Sequence, residues 1–173
     1  MKGTIHKCLG RLISEKYGKD KWQECLVAMG YSPFHAFTLL EDVDESLTME
    51  FFTKASEIIQ IPVSQLADEF GEYWSCVYAP DYYRSWFIRV SSVRELLTKL
   101  DHIHYMQNRT IVNAHPPRFD YKWIDEKTLH LTYNSKRDLI DLFISLIKGT
   151  GKYFNEDLKI TKLSNEKLEI IFP

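Results

Sequence analysis

Hydrophobic positions recur at helical spacing over roughly the first two thirds of the chain and then switch to alternation. Residues 3–18 put Ile5, Leu9, Leu12 and Ile13 on one face, with Gly18 placed to end the helix. Asp20 is placed to cap a second helix through Trp22, Cys25, Leu26 and Met29 to Gly30. A turn-rich link around Ser32 and Pro33 fills residues 31–45. Helical spacing returns over 44–59 with Leu47, Phe51, Phe52, Ala55, Ile58 and Ile59, and Pro62 breaks it. Ser64 is placed to cap a helix through Leu66 and Phe70 into Trp74, and Pro80 is expected to interrupt before Tyr82, Tyr83, Trp86 and Phe87. A helix over 92–107 carries Val93, Leu96, Leu97, Leu100, Ile103 and His104 on one stripe. It must end before Pro116, because the residue ahead of a proline avoids the helical region.

Beyond Pro116 the period becomes two. Residues 118–123 and 128–133 alternate and are parted by Asp125-Glu126-Lys127, a hairpin pattern. An apolar helix follows through Leu139, Ile140, Leu142, Phe143, Leu146 and Ile147, and Gly149 and Gly151 are expected to loosen its end. Two short strands, 158–163 and 168–172, turn at Ser164-Asn165-Glu166. The expected fold is α+β, a single domain over 1–173: a helical N-terminal lobe over about 1–65, then a lobe of antiparallel strands with helices over about 66–173.

Length and charge narrow the function. A chain of 173 residues can bury a real core as one domain. Its net charge of −2 gives no basic footprint for nucleic acid or an anionic membrane. No apolar run approaches a membrane span, and the N-terminus lacks the apolar segment of a signal peptide. Cys8, Cys25 and Cys76 are scattered and odd in number, which points to a reducing compartment, the cytoplasm by default, and offers no structural zinc spacing. Gly149 and Gly151 make no phosphate-cradling loop. The high aromatic content, 14%, suits a buried planar cofactor and equally a tight core.

Two segments carry candidate chemistry. His104 lies on the apolar stripe of its helix, whereas His102, about 200° around the axis, points away. The pair is therefore no two-ligand helical site, which needs i and i+4. His104 alone reads either as a ligand or as a core histidine satisfied by a carbonyl. Tyr133, Ser135 and Arg137 alternate at what reads as a strand end, so their donors face one side. Three such donors suit an anion with several acceptor oxygens, and equally an ordinary solvated strand end.

Leu100-Asp101-x-Ile103-His104, then Pro116-Pro117-Arg118, then Tyr133-x-Ser135-x-Arg137, together with the opening Met1-Lys2-Gly3-Thr4-Ile5, resemble the H-NOX family over essentially the whole chain. These are haem-based nitric oxide and oxygen sensor domains related to the sensor domain of soluble guanylate cyclase. The resemblance implies haem b between the lobes, His104 as proximal iron ligand, Tyr133, Ser135 and Arg137 on the propionates, and Pro117 bending the macrocycle. It implies a distal pocket of Ile5, Leu9, Trp74, Leu142 and Leu146. Leu142 stands where oxygen-binding members carry a tyrosine, so the implied ligand is nitric oxide, with carbon monoxide a second candidate and oxygen disfavoured. Trp74, or Tyr73 or Tyr78 beside it, is the polar exception. The resemblance further implies a non-enzymatic switch: nitric oxide weakens the Fe–His bond, and the shape change reaches a separate partner, a histidine kinase or a cyclic-dinucleotide enzyme. The alternatives are an oxygen-binding H-NOX-like sensor and a haem-free interaction domain. A haem enzyme lacks its distal histidine–arginine pair or cysteine ligand here, and the C-terminal cysteine cluster of some relatives is absent.

Overall fold

Thr4–Lys16 (α1) ends as its glycine dictates: the Tyr17 and Gly18 amides both return to the Ile13 carbonyl, and Gly18 takes φ 109°, open chiefly to glycine. Gly18 also precedes Lys19–Ala28 (α2), so the expected cap at Asp20 is instead a first-turn acid. The structure, a computed structural model, describes residues 2–173; Met1, part of the opening motif, lies outside the described residues. The chain divides between Phe70 and Gly71 into two compact units. No described helix is long and apolar enough to cross a membrane, and all three cysteines are free.

In the first unit α1 and α2 pack with Leu47–Ile59 (α3) around Leu9, Ile13, Leu26, Phe51 and Phe52, all buried. Burying that much apolar area is the main source of its stability. The irregular stretch after α2 is stitched to the start of α1: Gly3 N–H donates to the Glu41 carbonyl (2.8 Å), and Lys2 Nζ reaches Asp42 Oδ1 (2.6 Å). That stitching lays Phe37 against His6, ring centres 5.1 Å apart, with Phe51 edge-on at 5.0 Å. His6 is 0% exposed and neither ring nitrogen has a hydrogen-bond partner. Among aromatic rings a charged imidazole has nothing to replace water, so burial pulls its pKa down to about 4.

Val63–Tyr73 (α4) begins right after Pro62, whose carbonyl accepts from Leu66 N–H, and Ser64 therefore sits inside the helix and not at its cap. The helix does not stop at Pro80. It widens into a π-helical turn, Trp74–Tyr78, and Pro80 enters the first turn of Ala79–Tyr82 (α5). Proline has no N–H to give Cys76, and its ring would press on that carbonyl; a wider turn relieves both. Arg84–Phe87 (α6) and Val93–Thr110 (α7) follow.

Arg118–Trp123 (β1) and Thr128–Asn134 (β2) form the expected hairpin, with Phe119 opposite Tyr133 and Tyr121 opposite Leu131. Lys159–Ser164 (β3) and Lys167–Ile171 (β4) complete an antiparallel sheet in the order β1-β2-β4-β3. Alternation puts Leu129, Leu131, Leu168 and Ile170 inside.

Ile140–Phe154 (α8) runs through both glycines that were expected to loosen it. The reason is a close helix crossing within the second unit. A Cβ on Gly71 would lie 1.9 Å from the Ser145 carbonyl oxygen, and one on Gly149 would lie 2.0 Å from the Gly71 carbonyl oxygen. Ser75 Oγ adds a bond to the Leu146 carbonyl (3.2 Å). The entropic cost of mid-helix glycine, about 1 kcal/mol each, is offset by backbone contact that no other residue allows.

The His6 ring gives a pH dependence with a definite sign. It titrates near 4 in the native state and near 6.5 in an unfolded chain, so between those values only the unfolded state takes the proton. Stability contributed by the neutral ring is intact above about pH 6.5 and falls as pH drops towards 4, by up to about 1.4 kcal/mol per pH unit. His6→Leu should flatten the acid limb of a urea-midpoint profile by about one proton; an unchanged slope would place the acid sensitivity elsewhere.

Candidate functional site

The site is organised by α7. Ser92 caps it, its Oγ accepting from Glu95 N–H (3.1 Å), and Glu95 reaches back to accept from Ser91 N–H (2.9 Å), a capping box displaced by one residue. With a firm start the helix runs to Thr110, past the expected end at 107. Val93, Leu96, Leu97 and Ile103 are buried, and His102 is exposed as its angle requires.

Along one side α7 meets β1 through four rungs. Arg94 lies over Trp123, 4.7 Å from the ring centre, and donates to the Glu126 carbonyl. Tyr121 Oη donates to the Leu97 carbonyl at 2.6 Å and accepts from Asp101 N–H at 3.2 Å. The Asp101 carboxylate takes Arg118 in a fork, 2.7 and 2.5 Å, and accepts from Phe119 N–H at 2.9 Å. His104 Nδ1 lies 2.8 Å from the Pro117 carbonyl oxygen. Helix positions 94, 97, 101 and 104 share one face, and strand-side positions 123, 121, 119 and 117 share another.

A carbonyl can only accept, so Nδ1 carries the proton and Nε2 carries the lone pair. Burial drives the His104 pKa down to about 4 against the opposing pull of the Pro117 carbonyl and Asp101, so the ring is neutral at physiological pH. The Arg118 guanidinium holds the Asp101 carboxyl below the usual carboxylate range, and burial pushes the Tyr121 phenol up to about 12. Asp101 and Tyr121 therefore keep the charge states that their bonds need.

His104 adjoins a buried set of rings: it lies 5.3 Å from Phe119, which stacks on Phe143 at 4.9 Å and lies 5.9 Å from Tyr133. Tyr133, next to last in β2, faces inward and is 3% exposed. The alternation expected through Arg137 stops at Asn134, where the chain turns: Ser135 Oγ accepts from Arg137 N–H (3.2 Å), and Asp138 takes φ 49°. Ser135 and Arg137 are thus brought together by a turn and not by strand pleating. The Arg137 charge is near enough to disfavour protonated His104.

Leu142 is buried and Leu146 partly buried on α8. Trp74, in the π-helical turn, stacks on the fully buried Tyr78 at 5.2 Å. In the first unit, α1 carries Ile5, partly buried, and Leu9, fully buried. The donors present suit a borderline metal taken by Nε2 and carboxylates taken by hydroxyl and guanidinium groups.

The haem-NO-binding family profile matches residues 2–162. The chain belongs to the haem-NO-binding family. It is an H-NOX domain, a haem gas-sensor domain related to soluble guanylate cyclase, and a sensor rather than a catalytic domain. It is 25% identical over 174 residues to soluble guanylate cyclase gcy-37 of Caenorhabditis elegans, spanning 96% of this chain but only 24% of that protein. An oxygen-binding H-NOX domain related to soluble guanylate cyclases, solved as its oxygen complex, superposes with a TM-score of 0.84 at 28% identity, covering 99% of this chain and 95% of that one. A mutant of the T. tengcongensis H-NOX domain superposes with a TM-score of 0.82 at 28% identity, covering 99% and 97%.

The ladder around Asp101 and Tyr121 escaped the sequence reading. Asp101 and Arg118 stand 17 positions apart, and no spacing rule pairs them. Phe119, Tyr121 and Trp123 did alternate as one aromatic face, and that was the available signal. Asp101→Ala removes the fork and the Phe119 N–H bond while leaving the helix its propensity. Faster amide exchange at Phe119 and neighbouring β1 positions is expected; unchanged exchange would mean that the fork holds nothing.

Proposed function

We propose that this H-NOX domain senses nitric oxide at ferrous haem b, with His104 Nε2 as the proximal iron ligand. The observation that carries the reading is the bond from His104 Nδ1 to the Pro117 carbonyl, which fixes the tautomer and leaves the Nε2 lone pair to a metal. Haem, if bound, would supply an iron able to take His104 Nε2 and a diatomic gas. Tyr133, Ser135 and Arg137 would offer two hydroxyls and a guanidinium to the propionates, and Pro117, whose carbonyl holds the imidazole, would place its ring against the macrocycle.

Selectivity follows from the distal residues assigned from the resemblance. Bound oxygen gathers negative charge and is stabilised by a hydrogen-bond donor; nitric oxide has no such requirement. Ile5, Leu9, Leu142 and Leu146 carry no donor, and carbon monoxide is compatible with them. Trp74 has an indole N–H, and its ring is engaged by Tyr78. Signalling would work through the tether on α7: without a metal on Nε2, His104 would keep the Pro117 carbonyl as its anchor, and α7 could settle differently along β1. The output is read by a protein partner with kinase, cyclic-dinucleotide or cyclase activity.

Visible spectra of the reduced protein test this directly. A Soret band that moves under nitric oxide and not under air is expected; a stable complex in air would instead make Trp74 the donor. His104→Gly should lose haem and regain it with added imidazole, and full haem occupancy without imidazole would reject the ligand assignment. Leu142→Tyr places a phenol in the apolar pocket and should yield a stable complex with oxygen; continued failure to bind oxygen would show that position 142 does not set the selectivity.

A further inference from the structure

The second rung between α7 and β1 differs in kind from the others. Arg94, Asp101 and His104 reach β1, or the segments flanking it, with side chains, whose rotamers can absorb movement of the helix. Tyr121 instead grips the backbone of α7. The two atoms it touches, the Leu97 carbonyl and the Asp101 N–H, are the acceptor and donor that close one turn of a regular α-helix. Its hydroxyl bonds both, donating to the carbonyl at 2.6 Å and accepting from the N–H at 3.2 Å. A side-chain group set into the i→i−4 ladder is one of the few causes of bending in a helix. The captured amide belongs to Asp101, three residues before His104, and the Asp101 carboxylate holds Arg118 and the Phe119 amide.

We propose that Tyr121 is a positioning residue for His104: its hydroxyl, wedged into the hydrogen-bond ladder of α7 between Leu97 and Asp101, fixes the helix axis against β1 and so sets how far His104 Nε2 reaches towards the metal. This rests on the reading of His104 as the haem ligand. Two arrangements are available to the turn. With the hydroxyl inserted, Leu97, Asp101 and Tyr121 are all satisfied. With it withdrawn, Leu97 and Asp101 bond directly and the half-buried phenol is left without either partner. The inserted state is favoured, and withdrawal closes the turn between Leu97 and Asp101 and shifts His104 with it. The phenol, pushed up to about 12 by burial, keeps at physiological pH the proton that the Leu97 carbonyl requires.

Tyr121→Phe removes only the hydroxyl and keeps the ring between Phe119 and Trp123. Resonance Raman spectra of the reduced haem-loaded protein should show the Fe–His band displaced from its parent position, at unchanged haem content. Hydrogen exchange should change over residues 97–104 in both haem-loaded and haem-free protein and stay constant in β3 and β4. In His104→Gly protein reconstituted with imidazole, where the ligand is no longer tied to α7, Tyr121→Phe should leave the Fe–imidazole band in place. An unmoved Fe–His band with altered exchange would overturn the positioning role while leaving the haem reading intact. Movement of the band in the imidazole-rescued protein would overturn it too, because the effect would not pass through the helix. Absence of any Fe–His band in the parent would overturn both readings together.

Discussion

The hydrogen bond between His104 Nδ1 and the Pro117 carbonyl is the constraint on which the site depends. An imidazole offers two nitrogens, and only one can be a ligand while the other is protonated. A backbone carbonyl settles that choice more firmly than a side chain could, because it has no rotamer and no protonation state of its own. Burial adds the second condition by keeping the ring neutral. One contact therefore decides both the tautomer and the orientation of the ring.

The other rungs exist to hold that contact in place, and their chemistry follows from geometry. From Arg94 to His104 the helix advances about 15 Å, whereas the strand from Trp123 to Pro117 advances about 20 Å. The two cannot stay in step. The shortfall falls at the Arg94 end, where the longest side chain in the ladder leans over both Trp123 and Phe172. The compact rungs, Asp101 with Arg118 and His104 with Pro117, sit where helix and strand are in register.

The repeating elements were legible because their causes are local. Stripes on α1, α3 and α7 and the β1–β2 hairpin each follow from a few neighbouring residues. What failed depends either on partners distant in the chain or on local turns that residue spacing does not reveal. Gly149 reads as a helix breaker until Gly71 is seen to need its missing side chain. Pro80 reads as a stop until the turn before it is allowed to widen. Strand alternation was carried past Asn134 because Ser135 and Arg137 keep the spacing, whereas the Ser135 hydroxyl was already claimed by the backbone of a turn. At the site, His104 could be read from its stripe, yet nothing in the spacing distinguished a ligand from a satisfied core histidine. Asp101, Arg118 and Tyr121 were invisible as a group, since their meeting is made by the antiparallel approach of α7 and β1.

With the positioning role proposed for Tyr121, its grip on the backbone would also make α7 a lever. A fulcrum midway between Leu97 and Asp101 leaves about 7 Å of helix to His104 and about 16 Å to Thr110, at 1.5 Å per residue. Any small displacement of the imidazole is then roughly doubled at the far end of the helix. There the exposed Val112 and the turn at Asn113, with φ 57°, follow Thr110 without an enclosing layer. A small shift at His104 would therefore reach the exposed end of α7 enlarged.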